Sequence, residues 1–398
     1  VYVGSVNLQT TNTLINRGNF IINSNTANCA FAGNIVNSGF FVNNSSSNHH
    51  LKASVHNTGL FKGCHGTACT WTIPADISIK GTARISFPRI LFIGNDTIFN
   101  EGELEISSSI TGQGSLVNLS NSQLILGMSN DQNQAAINAW EHANNMVKYN
   151  KAGDQNLHTV NKKTYQNLTT SNQGTKTLLD HTTILADLVV DTGVVFDTKN
   201  HILTVQDSSL LSMKSNSKII IGSSIAEPAV KFPVDFKRSH VSIHPSAVVS
   251  YESKGDQMIS TIPVYGHLHL KDGGVTKSLK KLDVGDSLHI RGHFKVLESS
   301  VDFMAGNAIV EVGGDWLGPG HAYFDSGALI LNGNAYNTGH LSVGSSPVFY
   351  VGSQDQEMKN AHYQHLFVNK PSGTAQVRAG AGNFIVIKNM VVEQGKVQ

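Results

Sequence analysis

The sequence predicts an all-β fold, a right-handed parallel β-solenoid, and two periodic patterns favour it. Near the start of the chain glycines recur every 20 to 22 positions, at Gly18, Gly39, Gly59, Gly81 and Gly102. Each precedes a short run of alternating apolar and polar residues, such as Leu104-Glu105-Ile106, which is typical of a strand with one buried face. A turn and a strand that return about every 21 residues are typical of one solenoid coil.

A similar step is found later in the chain. Leu268, Leu288, Ile309 and Ile330 follow one another at nearly the same spacing as the glycines. We expect these side chains to stack on successive coils, because a slip of one residue would turn every inward side chain outward.

A longer period of about 100 residues repeats a tyrosine followed by an Asp-Gln pair. The repeated residues are Tyr149, Asp154 and Gln155, then Tyr251, Asp256 and Gln257, then Tyr350, Asp355 and Gln356. We interpret the tyrosines as core residues and the Asp-Gln pairs as turns in which aspartate accepts hydrogen bonds from nearby backbone amides. The period divides the chain into N-terminal coils over 1–127, a first module over 128–247, a second over 248–346 and a truncated third over 347–398.

A module of about 100 residues is also the size of an immunoglobulin-like domain, so tandem β-sandwiches are the alternative fold. The regular coil step and the absence of a cysteine pair or core tryptophan repeated in each module favour the solenoid. Residues 131–147 depart from both patterns. Ile137, Trp140 and Ala143 are at helical spacing there, which predicts a short helical insertion.

The charge and hydropathy of the chain exclude two classes of partner. Lysine and arginine number 29 against 28 acidic residues, for a net charge of +1, and no basic run with interleaved aromatics is present. Nucleic acid is therefore not an expected partner. No apolar run approaches the roughly 20 residues that cross a bilayer, so we expect no membrane insertion.

Cys64 and Cys69 are close enough in sequence to form a disulfide, which fits an oxidising compartment. A metal site that uses both thiolates and His65 is the alternative. Cys29 has no partner in either interpretation.

The sequence offers few groups for catalysis. A polysaccharide-cleaving enzyme needs paired carboxylates, and the densest acidic run is Asp180, Asp187, Asp191 and Asp197. We interpret these aspartates as solvated turn residues, and we expect no enzymatic activity and no cofactor.

His267 and His269 alternate with Leu268 and Leu270, which indicates that both imidazoles face outward. His289 follows His269 at the step that separates Leu268 from Leu288, and it is expected beside His269 on the next coil. The three histidines form either a polar ladder without a ligand or a site that binds zinc or changes charge near pH 6.

Several motifs resemble the repeats of large Bacteroidota cell-surface proteins, the gliding-type adhesins and related substrates of type IX secretion. The resemblance covers residues 147–398. It rests on Gly174-Thr175-Lys176-Thr177-Leu178, on Leu188-Val189-Val190, and on Val348-Phe349-Tyr350 ahead of Asp355-Gln356.

This resemblance implies an exported protein that is attached to the cell surface or forms filaments. Two segments, Asp96-Thr97-Ile98 and Asp286-Ser287-Leu288, match the Asp-Ser/Thr-apolar pattern that such bacteria O-glycosylate. Thr97 and Ser287 are thus the candidate acceptors.

We therefore expect an extracellular structural or adhesive repeat protein at the cell surface, in the form of a rigid stalk or a filament. Its expected partners are further modules of the same chain, identical subunits end to end, and surface glycans. A polysaccharide-binding or polysaccharide-degrading β-helix protein is the alternative function.

Overall fold

The computed structural model describes residues 2–3, 8–23, 28–64, 69–128, 136–138, 142–157, 164–223, 231–233, 235–271, 279–282, 287–303, 307–377 and 383–398. The chain is nearly all parallel β-strand and forms a β-solenoid of about 16 turns. The predicted fold class is confirmed. Tandem antiparallel sandwiches are wrong, because every strand pair among the described residues is parallel. The chain divides into two compact units, Val1–Val189 and Val190–Gln398.

The first unit consists of short strands, several to each coil. In chain order they are β1 (Tyr2–Val3), β2 (Leu8–Thr10), β3 (Leu14–Asn16), β4 (Asn19–Ile22), β5 (Cys29–Phe31), β6 (Ile35–Asn37), β7 (Phe40–Asn43), β8 (His49–Leu51), β9 (Val55–Asn57), β10 (Leu60–Lys62), β11 (Thr70–Ile73), β12 (Ile77–Lys80), β13 (Ile85–Phe92), β14 (Thr97–Asn100), β15 (Glu103–Thr111), β16 (Ser115–Asn118), β17 (Gln123–Leu126), β18 (Ala136–Asn138), β19 (Met146–Tyr149), β20 (Gln155–Asn156), β21 (Thr164–Tyr165), β22 (Asn167–Thr170), β23 (Gly174–Thr177), β24 (Thr182–Ile184) and β25 (Asp187–Val190), which reaches the boundary.

Strands of the first unit pair with the equivalent strands of the coils before and after them. One sheet follows the order β1, β4, β7, β10, β13, β15, β17, β19 and β22, and a second follows β3, β6, β9, β12, β14, β16 and β18. Strands β2, β5, β8 and β11 form a third run that joins the first sheet at β13. Buried and exposed side chains alternate along most strands, so each coil buries its inward row only against adjacent coils.

The repeated Asn-x-Gly motif forms a ladder of buried asparagines at one corner of the coil. The Asn16 amide donates to the Asn37 side-chain oxygen at 2.7 Å, and the Asn37 amide donates to that of Asn57 at 2.7 Å. Asn100 and Asn118 make the same contact later in the unit. These contacts span 21, 20 and 18 residues, so they link neighbouring coils directly.

Most glycines of this motif are explained by the close approach of the backbone of the neighbouring coil. Few of them have a positive φ. A Cβ on Gly39 would lie 2.1 Å from the Gly18 carbonyl oxygen, and one on Gly59 would lie 2.2 Å from that of Gly39. Gly81 alone among the five has a positive φ, of 112°. The corner therefore admits no side chain at Gly39 or Gly59, whereas a Cβ on Gly18 would meet no atom within 4 Å.

Aromatic rings continue the stacking into the core of the first unit. Phe20 and Phe41 are stacked with ring centroids 5.0 Å apart, and Phe41 and Phe61 with centroids 4.3 Å apart. All three side chains are buried. Burial of each such ring stabilises the fold by roughly 1.5–3 kcal/mol.

The second unit contains strands of the same kind and one short 3₁₀ helix, η1 (Arg238–His240). Its strands are β26 (Val194–Asp197), β27 (Leu203–Val205), β28 (Leu210–Met213), β29 (Lys218–Ile221), β30 (Val241–Ile243), β31 (Val248–Tyr251), β32 (Gln257–Ile259), β33 (Val264–Tyr265), β34 (His267–Lys271), β35 (Leu279–Leu282), β36 (Leu288–Ile290), β37 (Phe294–Leu297), β38 (Ser300–Asp302), β39 (Ile309–Val312), β40 (Trp316–Leu317), β41 (His321–Tyr323), β42 (Ala328–Leu331), β43 (Leu341–Ser342), β44 (Pro347–Tyr350), β45 (Gln356–Met358), β46 (His362–Val377) and β47 (Ile385–Val397).

Three runs of parallel strands make up most of the second unit, and β28 and β30 form a further parallel pair. The three runs follow the orders β26-β29-β31-β34-β37-β40, β32-β35-β38-β41-β43 and β33-β36-β39-β42-β44. The long strand β46 pairs with β43, β44 and β45, and β47 pairs along its other edge.

The predicted apolar ladder of the second unit is wrong. Leu268 pairs with Phe294, which lies beyond Leu288 in the chain, whereas Leu288 lies on another sheet and pairs with Val310. Ile309 is 41% exposed. The spacing of Leu268 and Leu288 is therefore not a coil step.

The helix predicted over 131–147 is also wrong for the described part of that segment. Ala136–Asn138 forms strand β18, which pairs in parallel with β16, and Met146–Tyr149 forms β19. Ile137 is buried opposite Leu116. Ile137 is apolar because it packs inward on the preceding coil, and not because it lies on the face of a helix. Trp140 lies outside the described residues.

We expect the replacement Asn37→Ala to lower the free energy of unfolding by about 2–4 kcal/mol, because it removes an acceptor of Asn16 Nδ2 and the donor to Asn57 Oδ1, both of which are buried. Urea denaturation followed by circular dichroism measures this loss. The control Asn95→Ala, in the exposed loop between β13 and β14, should change stability by less than about 0.5 kcal/mol. Equal effects of the two changes would contradict a structural role for the ladder.

Candidate functional site

The three repeat tyrosines lie in the core, each hydrogen-bonded to a second tyrosine. The hydroxyl pairs are Tyr149 with Tyr165 at 2.9 Å, Tyr251 with Tyr265 at 2.9 Å, and Tyr350 with Tyr363 at 3.2 Å. All six side chains are buried. Burial raises the pKa of Tyr251 to about 12, so this phenol is neutral in the native protein. Six tyrosines are therefore withdrawn from any surface that could bind sugar.

The glutamine of each Asp-Gln pair is buried and bonds main-chain groups of its own turn and the preceding coil. Gln155 Nε2 donates to the carbonyls of Leu126 and Met128, and its Oε1 accepts the Lys151 amide. Gln257 donates to the Ile221 carbonyl, and Gln356 to those of Leu331 and Gly333. Each glutamine thus satisfies backbone groups that cannot reach water.

The aspartate of the pair bonds forward to the following coil. Asp154 Oδ1 accepts the Thr175 amide at 2.8 Å, and Asp355 Oδ1 accepts the Thr374 amide at 2.8 Å. These amides lie 21 and 19 residues later in the chain, and not within the turn itself. The Asp-Gln pair is therefore a clamp between three successive coils.

A buried lysine completes this clamp in the first and third modules. Lys176 Nζ donates to the carbonyls of Gly153 at 2.8 Å and Gln173 at 3.3 Å. Lys370 Nζ donates to the carbonyls of Gly352 and Gln354 and to Gln356 Oε1, at 2.7, 2.6 and 2.9 Å. Burial lowers the pKa of Lys176 to about 8 and also lowers that of Lys370.

The lysine occupies different sequence positions relative to the glutamine. Lys176 is the strand partner of Gln155, and Lys280 is the strand partner of Gln257 in the second module. The strand partner of Gln356 is Ala375, and Lys370 reaches the third turn from a position ahead of that partner on β46. Sequence reasoning missed these lysines because their spacing from the Asp-Gln pair is not constant.

Cys64 and Cys69 form a disulfide, with their Cα atoms 6.3 Å apart. His65, the metal ligand considered from the sequence, lies outside the described residues. His49 is instead the neighbouring imidazole, and its ligand nitrogen lies within 4.8 Å of both sulfurs. His49, Cys64 and Cys69 are the one group of three possible metal ligands within the described part of the chain. Cys29 is buried and free.

His49 is already fully engaged in hydrogen bonds. Its Nδ1 accepts the Cys29 amide at 3.1 Å, so the hydrogen of the neutral ring is on Nε2, which lies 2.7 Å from Ser45 Oγ. Trp71 Nε1 donates to the Gly63 carbonyl at 2.9 Å and contacts Cys64 Sγ. With both sulfurs in a disulfide and both ring nitrogens bonded, this cluster has no free donor atom for a metal.

The predicted cluster of His267, His269 and His289 is not formed. His269 lies between Ser250 and Lys295 on β34, whereas His289 lies on β36 between Val264 and Glu311. The coil that follows His269 is longer than the step assumed from the sequence, so Lys295 takes the position expected for His289.

His267 and His269, which lie on the same strand, are poor zinc ligands. His267 Nδ1 accepts the His293 amide at 2.9 Å, which puts the ring hydrogen on Nε2. The pKa of His269 is lowered to about 4, first by burial and then by Lys295 and Lys218. Those two ammonium groups would repel a bound cation.

The four aspartates of the acidic run lie in turns or at strand ends, and two of them bond nearby backbone amides with their carboxylates. Asp180 Oδ1 accepts the following amide, that of His181, and Asp197 Oδ1 accepts that of Lys199. Asp197 is buried and its carboxylate lies 3.4 Å from Lys199 Nζ. Asp187 begins β25, and Asp191 accepts the Val194 amide with its backbone carbonyl in the turn before β26.

The two candidate glycosylation residues are half-buried at the ends of strands. Thr97 begins β14 and its amide donates to Asp76 Oδ1 at 2.6 Å. Ser287 directly precedes β36, and Asp286 of the same motif lies outside the described residues. Modification at these positions stays a prediction.

Comparison with protein-family models, curated sequences and solved structures gives no match for this chain. In the part of the chain that the structure describes, no helix has the length and apolar character needed to cross a membrane.

We expect Lys370→Met to lower the free energy of unfolding by about 3 kcal/mol, because methionine fills the space but leaves buried carbonyl groups without a donor. Urea denaturation of the full chain tests this. The control Lys388→Met, on the exposed face of β47, should leave stability within about 0.5 kcal/mol. A lysine clamp is contradicted if both variants unfold at the urea concentration of the unmodified chain.

Stability should also depend on pH through His49, whose pKa burial lowers to about 4. As the pH falls below about 6.5 the unfolded chain takes up a proton that the native state does not bind until about pH 4. The free energy of unfolding therefore decreases between pH 6.5 and 4, by up to about 3 kcal/mol.

This dependence can be followed by Trp71 fluorescence, because the Trp71 ring centroid lies 5.1 Å from that of His49. In a chain with Trp140 and Trp316 replaced by phenylalanine, His49→Gln should flatten the decrease. His50→Gln, on the exposed side of the same strand, should not. Parallel pH profiles for all three chains would show that His49 is not the titrating group.

Proposed function

We propose that this chain is a structural and adhesive segment of an extracellular, cell-surface repeat protein, in which the solenoid coils act as a stiff spacer. The observation that carries the proposal is the set of side-chain ladders that join coil to coil in addition to the strand hydrogen bonds. The asparagine ladder and the Asp-Gln clamps hold successive coils in fixed register. Such links resist bending and sliding of one coil on another.

The chemistry of the surface supports the same role. Only 14% of the residues are charged, and the net charge is +1, so the outer faces rely on neutral polar side chains. The disulfide between Cys64 and Cys69 fits an oxidising compartment outside the cytosol. The histidines and aspartates that a catalytic site would use mostly bond the backbone or lie apart on separate strands.

Two measurements test this function. Antibody labelling and protease treatment of intact cells that produce the protein should detect the chain at the surface. Electron microscopy of the purified chain should show particles of uniform width and low curvature. Labelling that requires cell lysis would contradict the location, and particles that bend freely between small domains would contradict the spacer role.

A further inference from the structure

One outward row of the second unit brings together side chains that are far apart in the sequence. Val264, His289 and Glu311 are strand partners across β33, β36 and β39. All three are half-buried. Because the strands are parallel and in register, these side chains lie side by side on one face of the solenoid.

This row lines a surface cavity of about 360 Å³, together with Ile290, Arg291, Gly313 and, from the 3₁₀ helix, Arg238. Small-molecule sites in proteins have volumes of roughly 300–1,000 Å³. Both arginines are exposed, so the cavity opens to solvent. It is large enough for one sugar residue of a longer chain.

The polar groups of the cavity carry a positive balance. The lining includes two arginines and one acidic residue, Glu311, whose carboxylate lies 3.0 Å from His289 Nδ1. Neither arginine has an acidic partner among the residues that the structure describes. Lys237, the residue before Arg238, lies 3.9 Å from the Asp207 carboxylate and so adds no net charge. Two uncompensated guanidinium groups are an attractive site for an anion.

The backbone keeps Arg291 accessible. Gly313 follows β39 directly, and a Cβ there would lie 2.4 Å from the Arg291 carbonyl oxygen. No side chain can therefore cover this side of the cavity. Arg291 Nη1 also donates to the Ile243 carbonyl at 3.5 Å.

We infer that this cavity binds the carboxylate of a hexuronate residue in an acidic polysaccharide. A guanidinium binds a carboxylate with two parallel hydrogen bonds. Glu311 provides an acceptor for sugar hydroxyls, and Val264 provides an apolar wall for the face of the ring. Apart from His289, no aromatic ring lines the cavity among the described residues, so it lacks the Phe, Tyr or Trp platform on which nucleic acid bases stack.

Uronate binding would use one face of the second unit and does not depend on the spacer role, which rests on contacts between coils. Failure to bind a uronate would leave the surface location and stiffness of the chain unaffected.

Isothermal titration of the full chain with a galacturonate pentamer tests the site, with a neutral galactose pentamer as the comparison ligand. We expect binding of the acidic pentamer only. The double variant Arg238→Ala, Arg291→Ala should weaken binding at least about tenfold, because charged hydrogen bonds to the carboxylate are lost. Arg291→Lys should weaken it less, since lysine keeps the charge but lacks the planar fork.

Arg89→Ala is the matched control, because Arg89 is an exposed arginine on strand β13 of the first unit. It should bind like the unmodified chain, and circular dichroism should show that all variants remain folded. Equal binding of the neutral pentamer, or full binding by the double variant, would overturn the inference. Competition by inorganic phosphate at the same concentration as the pentamer would identify a general anion site and would overturn the sugar assignment.

Discussion

Buried backbone groups at the corners of each coil must find hydrogen-bond partners, and this requirement determines which residues the chain carries there. Strand pairing satisfies the groups on the flat faces, but at a corner the backbone turns away from its neighbours. In the first unit the Asn16, Asn37 and Asn57 side chains supply the missing donors and acceptors. Because Asn16 donates to Asn37 and Asn37 donates to Asn57, the corners of adjacent coils are coupled.

The Asp-Gln clamps meet the same requirement with different groups. Gln356 bonds carbonyls of the coil before it, and Asp355 bonds an amide of the coil after it. The lysine ammonium donates hydrogen bonds to carbonyls of the turn. Such a buried charge is tolerable because its three N–H groups all have acceptors. The lysine ammonium group, which is hydrogen-bonded to main-chain oxygens, is thus a structural part of the fold and not a reactive group.

The sequence was sufficient to predict the solenoid and the coil step of the first unit, because close stacking at Gly39, Gly59 and Gly81 requires glycine at a regular spacing that is visible in the sequence itself. It was not sufficient in the second unit, where the coil after His269 is longer and returns to the same sheet only at Lys295. Where the loops between strands differ in length, a constant spacing in the sequence no longer identifies residues that are in contact. The cavity residues Arg238, His289 and Glu311 come from three segments with no common period, so no linear pattern could bring them together.

The asparagine ladder also bears on how such a chain can change its length over evolutionary time. The side-chain contacts between asparagines join each rung to the neighbouring coil. Duplication or loss of one whole coil would therefore join surfaces that already fit, whereas a gain of a few residues would misalign every rung that follows. We therefore expect such chains to lengthen or shorten by whole coils, so that the number of coils varies while the arrangement within each coil stays constant.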